Sequence, residues 1–252
     1  MDTVFITLAS ALAGFIDASV GGGGLLLVPA LFATYPNVSP ATLLGTNKSA
    51  SVWGTMFAAW GYQRQMVLQW RALRVAALCA LLGACAGAYS LTLMSPQMLR
   101  QALPVLLLAV LIYTLKNKQL GHAHSPRFEG RTQTIAMAAC AGVMGFYDGF
   151  FGPGTGSLLV FVMVRWLGFD FLQASAHSKV LNVTSNTAAL AWLGWQGHVM
   201  WEICVPIAVA NIAGSWLGTS LALRQGAAYV RWLFILVVAA LLLKTTRDAL
   251  LA

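Results

Sequence analysis

Gly14-Phe15-Ile16-Asp17-Ala18-Ser19-Val20-Gly21-Gly22-Gly23-Gly24 returns as Gly145-Phe146-Tyr147-Asp148-Gly149-Phe150-Phe151-Gly152-Pro153-Gly154-Thr155, a shift of 148 − 17 = 131 residues. Each copy sets an aspartate just before a glycine cluster inside an otherwise apolar stretch. The same shift carries Gly21 to Gly152, Gly23 to Gly154, Lys48 to Lys179, Gly83 to Gly214, Gly87 to Gly218 and Arg100 to Arg231. Two Asp and two Lys repeating in register mark a tandem duplication, the first thing to settle in any chain that carries one. The expected organisation is a first repeat at 1–116, a polar linker at 117–131 and a second repeat at 132–252.

The repeated stretches are lipid-soluble rather than water-soluble. Of 252 residues, 59% are hydrophobic and 9% charged, against about 25% charged in an ordinary soluble domain. Apolar runs near 3–20, 24–35, 40–60, 72–94, 97–116, 132–151, 154–168, 170–194, 200–223 and 227–250 are separated by short polar loops, and about 20 apolar residues cross the hydrocarbon layer. The fold class is therefore an all-α polytopic membrane protein with about 8–10 membrane segments. Ser39-Pro40 and Ser95-Pro96 each read as an N-cap followed by proline in the first turn. No basic stretch precedes the first apolar run, so the first segment is expected to stay in place rather than act as a cleaved signal.

A net charge of +8 would suit nucleic acid, but Arg64, Arg71, Arg74, Lys116, Lys118, Arg127 and Arg131 lie in two loops beside apolar spans. That is the positive-inside pattern of a membrane protein, and no nucleic-acid partner is expected. Cys79, Cys85, Cys140 and Cys204 lie in apolar runs without ligand spacing, so neither a disulfide framework nor a metal site is expected. Trp60, Trp70, Trp166, Trp195 and Trp201 read as interfacial anchors, and Gly83/Gly87 and Gly214/Gly218 as GxxxG packing seams.

The glycine cluster decides how each repeat crosses. A single helix over 3–35 would run about 50 Å, and Gly21–Gly24 would break it midway. Two crossings, or a re-entrant pair making none, leave an odd number per repeat and so an inverted pair, each repeat with a Gly-broken short helix pair. A parallel four-plus-four arrangement satisfies the loop charges as well.

Asp17, Lys48, Asp148 and Lys179 sit at membrane depth, where each costs a few kcal/mol unless it faces a partner or a wet cavity. Two structural Asp–Lys pairs are one reading. The other is a pathway lining, and the neighbours favour it: Thr46, Asn47 and Ser49 surround Lys48, and His177, Ser178 and Asn182 surround Lys179. Hydroxyls, amides and an ammonium can replace the hydration of an oxyanion. The helix starts after the breaks, at Gly22, Gly23, Gly154 and Thr155, offer free N–H groups to the same anion. Asp17 and Asp148 are then the coupling or proton-carrying residues. His177 serves equally well as a proton relay or a packing residue.

The paired Gly-Phe-x-Asp, each followed by a glycine-rich break, with Gly45-Thr46-Asn47-Lys48 in one half and His177-Ser178-Lys179-Val180-x-Asn182 in the other, resembles the TauE/SafE sulfite exporter family (TSUP permeases) over essentially the whole chain. The resemblance implies a bacterial inner-membrane, multi-pass transporter, an exporter of sulfite, organosulfonates or related carboxylate anions, with no cofactor. It assigns Asn47, Lys48, Ser178 and Lys179 to the polar signature and Asp17 and Asp148 to the acidic one. The departure of His177-Ser178-Lys179 from Thr46-Asn47-Lys48 implies sub-sites that are not equivalent. A passive anion channel shares these features. An intramembrane hydrolase using Ser157 or Ser178 with His177 is disfavoured, because adjacent helical residues point about 100° apart; no catalytic residue is expected.

Overall fold

The computed structural model describes residues 2–99, 101, 102, 105, 109 and 125–225. The expected span at 227–250 and most of that at 97–116, with Arg100, Lys116, Lys118, His122, His124, Arg231, Lys244 and Arg247, lie outside the described residues. Among the described residues there is no strand. The helices are α1 (Asp2–Val20), α2 (Gly24–Thr34), α3 (Pro40–Gln63), α4 (Trp70–Thr92), α5 (Gly130–Phe150), α6 (Thr155–Val162) with a π turn after it (Met163–Leu167), α7 (Phe171–Trp195) and α8 (Trp201–Gln225).

Local chemistry sets the boundaries. Ser39 caps α3, its Oγ accepting the Thr42 N–H at 3.2 Å with Pro40 in the first turn, and Ser95 accepts the Met98 N–H at 3.3 Å. Asp170 caps α7 through the Gln173 N–H at 2.9 Å. Gly21 and Gly22 (φ +81° and +92°) and Gly152 and Gly154 (φ +88° and +85°) take left-handed conformations open to glycine, and there α1 and α5 end. With 11 residues, α2 extends only about 16 Å, short of the hydrocarbon thickness. It doubles back on α1, packing Leu27 and Leu31 with Ile6, Ala9 and Ala13.

The long helices interlock across the two halves of the chain. Ser10 Oγ donates to the Ile207 carbonyl at 2.7 Å, Ser215 Oγ to the Gly14 carbonyl at 3.2 Å and Ser19 Oγ to the Gly218 carbonyl at 3.2 Å; the numbers rise together, so α1 and α8 run parallel. A Cβ on Gly214 or Gly218 would strike the carbonyls of Ala11 or Phe15, and one on Gly83 or Gly87 those of Gly142 or Phe146. The second set is the first moved by 131, because 214 − 83 = 131 and 142 − 11 = 131. Thus α4 and α5 repeat the packing of α1 and α8 with the halves exchanged, and the expected GxxxG seams are backbone-to-backbone contacts. By contrast, α3 runs against α7: a Cβ on Gly45, near the start of α3, would lie 3.3 Å from Leu193 Cβ, near the end of α7, while Tyr62 at the far end of α3 shares a core with Ala174 and Ala176.

Polarity is arranged for lipid. α1, α4 and α8 are long and apolar enough to cross a membrane by length and composition. Val4, Leu8, Leu12, Leu78, Leu82, Val205 and Val209 are exposed, whereas Thr46, Asn47, Lys48, Asp148, Lys179 and Asn182 are buried. The five tryptophans expected at interfaces are exposed at helix ends, with the Arg64 guanidinium 3.7 Å over the Trp60 ring. Arg64, Arg71, Arg74, Arg127, Arg131, Arg165 and Arg224 gather at the end where α3, the π turn and α8 finish and α4, α5 and α7 start. The opposite end has Asp2 and Glu202 and, among the described residues, no Lys or Arg.

Candidate functional site

Both deep lysines pair with the aspartate of the other half. Lys48 Nζ on α3 donates to Asp148 Oδ1 on α5 at 2.7 Å, and Lys179 Nζ on α7 meets Asp17 Oδ2 on α1 at 3.3 Å and also donates to the Asp17 carbonyl. Adding 131 to both members of the first pair gives Lys179 and, by wrapping Asp148 back to Asp17, the second pair. Each pair therefore links the halves. Lys48, Asp148 and Lys179 are 2%, 1% and 1% exposed, so each charge depends on its partner for most of its solvation.

The two carboxylates are held differently. Asp17 Oδ1 accepts the N–H groups of Gly22 at 3.1 Å and Gly23 at 3.3 Å, and its Oδ2 accepts Thr55 Oγ1 at 3.1 Å as well as Lys179. The first break thus spends its free N–H groups on its own aspartate. Opposite Gly22 the second half has Pro153, which has no N–H, and opposite Thr55 it has Asn186, whose Nδ2 donates to Asn182 Oδ1 at 2.7 Å instead. Asp148 Oδ2 is consequently buried without a hydrogen-bond partner.

The glycine breaks face each other. A Cβ at Gly21 would strike the backbone of Gly156, one at Gly22 would lie 2.7 Å from Ser157 Oγ, and one at Gly152 would lie 2.7 Å from Lys48 Nζ. Between them is a cleft lined by Asp17, Gly22, Gly24, Asn47, Ser51, Asp148, Gly152, Gly154, Thr155, Gly156, Asn182 and Asn186. Its free volume of about 10 Å³ is room for about one water. Both aspartates line it; the lysines sit behind them. Asn47 Oδ1, like Asp148 Oδ2, is buried without a partner.

A model of the sulfite exporter TauE/SafE family matches residues 6–245. The chain belongs to that family. It is 35% identical over 239 residues to "Probable membrane transporter protein YfcA" of Escherichia coli (strain K12), covering 94% of this chain and 87% of the relative. It is 34% identical over 223 residues to "Probable membrane transporter protein" of Haemophilus influenzae (87% and 84%), and 32% identical over 244 residues to "Probable membrane transporter protein ORF9" of Sinorhizobium sp (97% and 92%). No solved structure matches. The protein is a membrane transporter and not an enzyme.

Of the residues singled out in this TauE/SafE sequence, Asp17, Gly22, Asn47, Asp148, Gly154, Thr155 and Asn182 line the cleft, with Lys48, Lys179 and Gly23 directly behind. Four others are turned elsewhere. Thr46 Oγ1 donates to the Thr42 carbonyl and accepts the Met200 N–H, and Ser49 Oγ donates to the Thr46 carbonyl. Ser178 Oγ donates to Met163 Sδ at 3.6 Å. His177 Nε2 accepts the Gln69 N–H at 3.1 Å, which puts the ring proton on Nδ1, facing the Gln173 carbonyl at 2.8 Å. His177 is thereby a tie between α7 and the start of α4 and is not among the residues that line the cleft. Ser51 and Thr55 escaped sequence reasoning, although three and seven residues after Lys48 they fall on its helix face, and the shift of 131 makes them counterparts of Asn182 and Asn186.

Proposed function

We propose that this transporter moves a small sulfur-containing or carboxylate anion, such as sulfite or an organosulfonate, across the bacterial inner membrane together with a proton, by alternating access. The observation that carries the reading is the pair of crossed Lys–Asp bridges meeting at two apposed glycine breaks around one polar cleft. An ion pair is neutral as a unit, so an anion gains from Lys48 only when Asp148 lets go. Protonation of Asp148, whose Oδ2 has no competing partner, releases the Lys48 ammonium to the anion. A monoanion and a proton then cross without net charge. Outward movement, the direction named in the family description, requires the internal anion gradient to exceed any inward proton gradient.

The inverted relation of two repeats, 1–116 and 132–252, with 117–131 as linker, is part of this proposal. Its support is the antiparallel run of α3 and its counterpart α7, and the duplicated parallel seams α1–α8 and α4–α5. The seven arginines at one end support a cytoplasmic placement of that end and a multi-pass topology. The test is radiolabelled sulfite or sulfoacetate flux in proteoliposomes under an imposed pH gradient. Flux that follows the sum of the anion and proton gradients is expected. Flux indifferent to the proton gradient would remove the coupling and leave a uniporter or a channel, and no flux of either compound would remove the substrate class.

A further inference from the structure

A second hollow, apart from the central cleft, lies at the basic end, between the first turns of α4 and α5. Its volume is about 650 Å³, within the range of small-molecule sites. Trp70, Arg71 and Val75 line it from α4, and Arg131, Gln133 and Thr134 from α5. Because α4 and α5 run parallel, two helix N-termini open side by side into it with their positive dipole ends; Gln69 caps α4 without adding charge, whereas the exposed Glu129 stands at the α5 N-cap, its carboxylate making no capping hydrogen bond. Arg71 and Arg131 are both exposed and form no ion pair with any described residue. Gln133 is 9% exposed, and its Nε2 amide is buried without a hydrogen-bond partner, an arrangement that is costly unless an acceptor arrives. Two guanidinium groups, two helix starts and a stranded amide donor all ask for the same thing, an anion rich in oxygen acceptors.

The surroundings say what carries that anion. Trp70, 45% exposed, sits at the rim, where tryptophan marks the membrane–water interface. From Val75 in the wall, the exposed Leu78 and Leu82 continue along α4 toward the membrane centre, and Ile135 is exposed on α5. A phosphate at the arginines would leave acyl chains lying along these residues. We propose that this hollow is a headgroup site for an anionic phospholipid, such as phosphatidylglycerol or cardiolipin, which clamps the α4–α5 seam at the basic face of the membrane. The site is independent of the transported anion.

Purified protein exchanged into lipid-free detergent provides the test, with bound lipid read by native mass spectrometry and thermal unfolding followed in parallel. Phosphatidylglycerol and cardiolipin should stay bound and raise the unfolding temperature, whereas phosphatidylcholine of the same acyl chains should do neither. At about 1 kcal/mol per arginine near the surface, the Arg71→Gln/Arg131→Gln variant should weaken phosphatidylglycerol binding roughly thirtyfold. Arg165→Gln/Arg224→Gln, at the same end but outside the hollow, should bind as wild type. Both pairs are exposed, so folding survives, and unfolding without lipid checks it. Equal retention of phosphatidylcholine, or undiminished binding by the Arg71/Arg131 variant, would overturn the proposal. Inorganic phosphate reproducing the thermal shift without lipid would replace the lipid by a free anion.

Discussion

Asp17 and Asp148 occupy equivalent positions, yet the first has four hydrogen-bond donors around its carboxylate and the second has Lys48 alone. Replacing either by Asn strands a buried lysine, a loss of about 3–5 kcal/mol. Asp17→Asn also weakens the contacts to Gly22, Gly23 and Thr55, at about 1 kcal/mol each. Asp17→Asn should therefore unfold at a lower temperature than Asp148→Asn in detergent, while Asp148→Asn should flatten the pH profile of anion flux in proteoliposomes. Equal unfolding temperatures, or a wild-type pH profile in Asp148→Asn, would refute the division of labour. The raw material for this asymmetry is legible in the sequence, since Pro153 opposite Gly22 lacks an N–H and Asn186 stands opposite Thr55. Which Asp meets which Lys is not, because register fixes equivalence and says nothing of partners. The position of Lys48 and Lys179 behind Asp148 and Asp17 is not legible either, because a lysine is long enough to place its charge behind a shorter carboxylate.

The glycines divide by the work they do in their elements, and the division was largely readable. The clusters Gly21–Gly24 and Gly152-Pro153-Gly154-Thr155-Gly156 differ in the sequence from GxxxG spacing, and the structure puts left-handed turns in the clusters and the GxxxG pairs on helix seams. The facing of the two breaks needed the fold, since a local break carries no record of what lies across from it. Gly152→Ala adds left-handed strain of about 1–2 kcal/mol and sets a methyl 2.7 Å from Lys48 Nζ. It should disable transport while the protein still inserts. Gly87→Ala and Gly218→Ala push a methyl against the carbonyls of Phe146 and Phe15, so each should lower the unfolding temperature by several degrees, and by similar amounts, because their seams are duplicates. Insertion is read by membrane fractionation and the rest by flux and thermal unfolding. A fully active Gly152→Ala would show that the tight approach of the breaks does not serve transport.

Over the whole molecule, the chemical halves and the packed units are different things. α3 and α8 touch along their length, at Gly45 with the His198 carbonyl, Gly54 with Asn211 and Gly61 with Thr219, and α1 joins them through Ser10, Gly14 and Ser19. On the other side, α4 holds α5 through Gly145 and Gly149 and meets α7 at Tyr89–Trp192 and Gln69–His177. Among the described helices one set is then α1, α3 and α8 and the other α4, α5 and α7, each drawing helices from both halves, with α3 packed against α7 between the sets. Both Lys–Asp bridges, and the contact between the glycine breaks, lie on the boundary between these units. Backbone-to-backbone seams resist sliding, whereas ion pairs around a polar cleft can exchange partners, so this packing predicts that the proposed alternating motion runs along the boundary. One engineered disulfide separates this from rocking of half against half. Gly142 lies on α5, and a Cβ built there would sit 3.7 Å from Cys79 Cβ on α4, within the range a disulfide requires. In a background with Cys85, Cys140 and Cys204 replaced by Ala, Gly142→Cys should oxidise to a bridge that ties the first half of the chain to the second. If the halves were the moving bodies, that bridge would stop flux and a reductant would restore it. With the mixed units moving, the bridge lies inside one of them, and oxidised protein, verified by thiol counting, should transport at the reduced rate.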